Sequence, residues 1–176
     1  MAEQKLPLRA NQLLLPTLFD RLRDDAPNRR TELPNEFTLN REQLRDIIQR
    51  DLAFLFNSIS KEDILNVEKY PEVARSTLNY GMPALAGKFH TEYSWESVQA
   101  RLTKAIHTFE PRILPDTLQI IPYRRQEKDY SEKSYNTLSF GVHGRIYCNP
   151  YPLEFVVQSA VDLETNRINI KSINVK

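Results

Sequence analysis

Around Pro115 the spacing of apolar residues changes from three and four to two, and that change divides the chain between two kinds of secondary structure. Before it, Leu44, Ile47, Ile48, Leu52, Leu55 and Phe56 form the stripe of an amphipathic helix. Val98, Leu102, Ala105, Ile106 and Phe109 form a second stripe, with Trp95 one turn earlier. After it, Leu138, Phe140, Val142, Ile146 and Cys148 alternate with Thr137, Ser139, His143, Arg145 and Tyr147, the signature of a strand with one apolar and one wet face. Leu118 and Ile120 open a strand before this one. Leu153, Phe155, Val157, Val161 and Leu163 continue the pattern beyond the turn at 149–152, and a turn at 164–166 leads into 167–175, where Ile168 and Ile170 form the last strand. The expected fold is α+β, with N-terminal helices packed on one face of a C-terminal antiparallel sheet of three to four strands.

The ends of the elements are also marked. Asn40 with Gln43 three residues later, and Leu39 with Leu44 as a hydrophobic staple, start a helix at about 40–57. Another begins near Ser94 and must stop at Phe109 or Glu110, because Pro111 lacks a donor and pushes its predecessor out of the helical region. Residues 70–81 read as a short helix with Pro71 in its first turn and Gly81 as a left-handed stop. At 15–22, Pro16 suits a first turn, and Leu15, Leu18 and Leu22 repeat at helical spacing over two turns. So short a helix must dock on something, either the protein's own core or another chain. The polar tail at 1–12 and the proline-bearing stretch at 24–36 carry little to bury. Residues 1–37 are therefore expected to be a flexible tail, docking helix and tether, and 38–176 a single α+β domain.

Composition narrows the function. Twenty-four Lys plus Arg against 23 Asp plus Glu leave a net charge of +1, which removes the electrostatic case for a nucleic-acid or anionic-membrane binder and leaves protein as the expected partner. One cysteine, on the apolar phase of its strand, and three histidines (His90, His107 and His143, read as solvated) make no disulfide or zinc framework. The four glycines form no phosphate-binding loop, so no cofactor and no small-molecule substrate are expected. The first residues lack a secretory signal and no apolar run approaches about 20 residues, which points to the cytoplasm and away from direct membrane insertion.

Two carboxylates stand out. Asp51 interrupts the apolar stripe of its helix, where an unpaired charge is costly, so an arginine or backbone amides should meet it. Glu42 cannot share a site with it, because nine residues of helix place the two on opposite sides and about 13 Å apart along the axis. Glu110 sits at a helix C-terminus, facing the negative end of the macrodipole at a cost of roughly 0.3 to 1 kcal/mol. Arg112 follows across a stiff proline. Either this acid and base close an internal network, with Asp51 as a candidate member, or they are displayed to a partner.

Four blocks carry a resemblance: residues 15–22, the run Arg50-Asp51-Leu52-Ala53-Phe54-Leu55-Phe56-Asn57, the run from Tyr70 through Pro71-Glu72-Val73-Ala74-Arg75-Ser76 to Asn79-Tyr80-Gly81, and Phe109-Glu110-Pro111-Arg112-Ile113. In this order they resemble the TssE family, small baseplate wedge subunits of bacterial type VI secretion systems related to the lysozyme-like wedge protein of contractile phage tails. Phe19 and Phe56 stand where that family more often has leucine.

The resemblance implies a non-enzymatic wedge component that binds TssF and TssG, lies near TssK and helps the TssB/TssC sheath start polymerising, at the cytoplasmic side of the inner membrane. It also implies that Glu110, Pro111 and Arg112 match a Glu-Pro-Arg motif that contacts the first sheath layer. Leu15, Leu18 and Leu22 are expected to anchor the N-terminal segment on another wedge protein. The edge at 167–175, free of proline, is expected to accept a strand. The alternatives are a peptidoglycan hydrolase of the lysozyme-like glycosidase kind and a stand-alone peptide-binding module.

Overall fold

The computed structural model describes residues 14, 16–22, 27–31, 38–84, 94–123, 137–149, 151–162, 164–165 and 167–172. The tail at 1–12, Leu15, most of the tether at 24–36, His90, Leu163 and Asn166 lie outside them.

Among the described residues four α-helices precede four strands: α1 (Leu18–Arg21), α2 (Arg41–Asn57), α3 (Pro71–Arg75), α4 (Trp95–Phe109), β1 (Gln119–Pro122), β2 (Thr137–Ile146), β3 (Leu153–Asp162) and β4 (Arg167–Ser172). The strands pair antiparallel in sequence order, a four-stranded meander. The fold is α+β as the periodicity predicts.

The start of α2 is built as its residues require. The Asn40 side chain accepts from the Gln43 amide at 2.7 Å, and the Gln43 side chain accepts from the Asn40 amide at 2.9 Å, which closes a capping box. Ser94 caps α4, and that helix ends at Phe109 ahead of Pro111. Leu44, Ile48, Leu52, Leu55 and Phe56 of α2, with Val98, Leu102, Ala105 and Ile106 of α4, are buried against one face of the sheet. That face presents Ile120, Phe140, Val142, Ile146, Phe155, Val157, Val161 and Ile168. Phe140 is the centre, with Phe56 edge-on at 6.2 Å and Trp95 tilted at 6.3 Å. Cys148 is buried with this core.

Four local expectations are revised. The N-terminal helix is one turn, not two. Thr17 caps it, so Pro16 precedes it rather than opening it. The stretch at 70–81 breaks at Ser76, whose hydroxyl donates to the Val73 carbonyl, and resumes as a 3-10 turn at Thr77–Asn79. Gly81 has φ +124°, but it serves a close crossing instead of a helix stop. A Cβ there would lie 2.3 Å from the Ser58 carbonyl oxygen, just where residues 58–60 pair with Met82. His107 is exposed as expected, whereas His143 is half-buried on the outer sheet face with its Nε2 shielded from solvent, beside Tyr123 and Gly141.

Both sheet edges receive a side-chain amide from a helix. At β1, Gln99 of α4 donates to the outward carbonyl of Ile120 at 3.1 Å. Pro122 stands opposite Phe140 at a position whose backbone faces away from β2, so its missing donor costs the ladder nothing. At β4, Asn57 of α2 accepts from the Ile168 amide and donates to the Ile168 carbonyl, both at 2.9 Å. These bonds fix the alternation of β4. Ile168 and Ile170 turn their backbone groups outward, and Arg167 and Asn169 turn theirs to β3.

Candidate functional site

Where α2 passes the exit of α4, five charged side chains form a continuous relay. Arg112 grips Glu110 with Nε and Nη2, a two-point fork on a single carboxylate. Its Nη2 also reaches Asp51 at 2.6 Å. The other Asp51 oxygen accepts from Nε and Nη2 of Arg50, at 3.1 and 2.8 Å. Arg50 in turn holds Asp20 of α1 with both terminal nitrogens. The order is Glu110, Arg112, Asp51, Arg50, Asp20.

The backbone explains why these groups converge. Glu110 closes α4 through its amide to the Ile106 carbonyl, and the Ile113 amide bonds the Glu110 carbonyl, so Pro111 and Arg112 occupy a tight turn. The chain then lies against the end of β2, with the Tyr147 amide on the Arg112 carbonyl at 2.7 Å and the Leu114 amide on the Arg145 carbonyl at 2.8 Å. Gly144 leaves room for this run, since Ile113 fills the place a side chain would take. Tyr80 stands edge-on to Phe109 at 5.2 Å and donates its hydroxyl to the Asp51 carbonyl at 3.3 Å.

Burial and charge act against each other in the relay. Glu110 is only 4% exposed, while Arg112 keeps 27% and Asp51 24% of their side-chain surface. Burial works against the Arg112 charge, but the hydrogen bonds to Glu110 and Asp51 outweigh it and hold its pKa above the ordinary arginine value. The bond to Asp20 does the same for Arg50. Asp20 is held below the usual carboxylate range by the Arg50 hydrogen bond, against the effect of burial and with help from Thr17. Burial, reinforced by the charges on Asp51 and Glu110, raises the pKa of the Tyr80 hydroxyl. Arg112 Nη1 is buried and has no hydrogen-bond partner among the described residues.

The structure therefore brings Glu110 and Arg112 together with Asp51 and leaves Pro111 exposed at the tip of their turn. It places Leu18 and Leu22 elsewhere, pointing away from the domain at 73% and 76% exposure, with Phe19 beside them at 74%. Leu15 falls outside the described residues. What holds this segment is Asp20 on Arg50, the Leu14 side chain on the core and the Leu39 amide on the Leu14 carbonyl at 2.7 Å. Sequence reasoning missed Asp20 and Arg50. The Thr17-x-x-Asp20 pattern, a helix-start signal in which the Thr17 hydroxyl donates to Asp20, was the available clue.

Chemically, the site is an ion-pair hub. Asp51 and Glu110 share one guanidinium, so Arg112 occupies the space between them that a sugar ring would need in a two-carboxylate glycosidase. Among the described residues no group of three or more His, Cys, Asp or Glu is placed to hold a metal ion, and no helix is long and apolar enough to cross a membrane.

The relay braces one rigid turn against α2 inside an α+β domain. Residues 42–151, from the first turn of α2 to the turn before β3, match the family model for baseplate wedge protein gp25, and the chain belongs to that family. No curated protein and no solved structure matches the chain. The family places it in the baseplate of a contractile injection machine, in a structural role.

Proposed function

We propose that this protein is the small wedge subunit of a type VI secretion baseplate, that it binds TssF and TssG near TssK, and that it helps the TssB/TssC sheath begin to polymerise on the cytoplasmic side of the inner membrane. It acts by binding and has no catalytic activity. The observation that carries the reading is that the family match spans both α2 and the Glu-Pro-Arg turn, the two elements the relay locks together.

In this reading the roles in the turn divide. Glu110 works from inside as the residue that orients Arg112, while Pro111 and the exposed edge of Arg112 meet the partner. Residues 1–37 form a docking arm, strapped to the domain at Leu14 and Asp20, that offers Leu15, Leu18 and Leu22 to another wedge protein, and 38–176 form the domain. The outward backbone groups of Ile170 on β4 accept an extended arm from the sheath.

The test is co-purification. The intact chain should recover TssF and TssG, and it should leave purified peptidoglycan unchanged. Release of sugar from peptidoglycan that disappears in Glu110→Gln would replace this reading with a hydrolase.

A further inference from the structure

We infer that Arg50 makes the N-terminal segment and the Glu-Pro-Arg turn one coupled unit, so that release of Asp20 from Arg50 loosens the grip of Asp51 on Arg112. Asp20 lies outside the span matched by the family model, whereas Arg50, Asp51, Glu110 and Arg112 lie within it.

The coupling follows from how one guanidinium is divided. Arg50 gives both terminal nitrogens to Asp20 and Nε with Nη2 to Asp51, so Nη2 serves two carboxylates at once. Helix α1 buries none of its own residues and is a single turn, far too short to persist without an anchor. Its outward face is Leu18, Phe19 and Leu22, and its inward contact is Asp20. The Asp20 contact on Arg50 is therefore the tie between this turn and α2.

Two states then differ in charge. With the segment strapped down, Asp20, Asp51 and Glu110 face Arg50 and Arg112, and the surplus negative charge draws Arg112 inward. With it released, Arg50 belongs wholly to Asp51, charges match, and Asp51 pulls less on Arg112. Arg112 has no spare contact to compensate, because its Nη1 is buried without a partner among the described residues. Glu110 alone keeps its full hold on it. The turn is thus softened when Asp20 leaves Arg50.

The experiment is amide hydrogen exchange on the full chain, comparing wild type with Asp20→Asn. The Leu39 amide reports the strap through its bond to the Leu14 carbonyl, and the Ile113 and Tyr147 amides report the turn through the Glu110 and Arg112 carbonyls. Exchange should quicken at all three, by about fivefold, the lower end of ordinary coupling between sites. Arg50→Lys, which keeps the charge but cannot bridge two carboxylates, should reproduce the pattern. Faster exchange at Leu39 with Ile113 and Tyr147 unchanged overturns the coupling, and no change at any of the three overturns the strap itself. Co-purification with TssF and TssG is scored separately, so failure of the functional reading and failure of the coupling leave different records.

Discussion

Asp51 and Arg112, 61 positions apart in sequence, meet at 2.6 Å and thereby tie the middle of α2 to the turn that follows α4. The pair is one link of a chain of charges in which the most deeply buried member, Glu110, depends on Arg112 for compensation. Removing a partner from such a group is more costly than the pair itself is stabilising.

Arg112→Ala should therefore destabilise the domain as well as any interface. A fully buried charge left alone costs about 3 to 5 kcal/mol. Water reaches this site through the exposed quarter of Arg112, so about 2 to 3 kcal/mol is expected, a fall in the thermal melt of roughly 5 to 10 °C for a chain of this size. Arg112→Lys should lose about half as much, because one ammonium cannot fork Glu110 and reach Asp51 together. A melt unchanged in Arg112→Ala would show that the relay does not hold the fold.

Glycine substitutions at two crossings should separate cleanly. Gly81→Ala forces a side chain into the left-handed region and onto a carbonyl at 2.3 Å, so it should cost at least about 1 to 3 kcal/mol in the melt. Gly144→Ala meets only a methyl of Ile113 at 3.1 Å and should cost distinctly less. Equal losses would mean that the crossing of residues 58–60 with Met82 is not rigid.

The Asp20 contact has a pH signature. Its folded pKa is depressed, mainly by the hydrogen bond from Arg50, so the stabilisation it gives is complete above about pH 4, near the ordinary aspartate value, and is lost as pH falls through the lowered one. A carboxyl titration followed by NMR should find the Asp20 midpoint below the ordinary range in wild type. Arg50→Gln should return it toward that range. An ordinary midpoint in wild type would show that the strap is not held in solution.

Proline on β4 tests the proposed strand acceptor. Ile170→Pro removes an amide that faces away from β3, so the protein should fold and sheath assembly should fail. Asn169→Pro breaks a bond of the β3 ladder and should lower the melt as well. Normal sheath assembly by a folded Ile170→Pro protein would rule this edge out.

Much of the fold could be read from residues because each signal was local. Asn40 with Gln43, Ser94, Pro111 and the alternation from Leu138 to Ile146 all depend on near neighbours, and each element they mark is present. The breaks came where a distant contact decides. Ser76 interrupts a helix whose periodicity runs on, and Gly81 answers to a backbone crossing with Ser58 that no window around it contains. The site followed the same rule. Asp51 announced its need for a cation, and Glu110 its conflict with the helix dipole, yet that one arginine serves both, and that another carries the relay on to Asp20, depends on packing between α1, α2 and the exit of α4.

The unequal capping of the sheet bears on stoichiometry. With Gln99 on the Ile120 carbonyl and Pro122 lacking a donor, β1 is blunted, and with Asn57 sealing β4 only at Ile168, the described part of the sheet offers its better place for another strand at Ile170. A body with two such places can chain head to tail without limit, whereas a body with one can be extended once and then is finished. By the described residues alone, pairing of copies through this edge would stop at two, β4 against β4, and a foreign strand would lie on one side of the sheet only. Under the proposed role, such a polarity would suit an origin, a point where a repeating structure starts without the starting piece becoming one of the repeats.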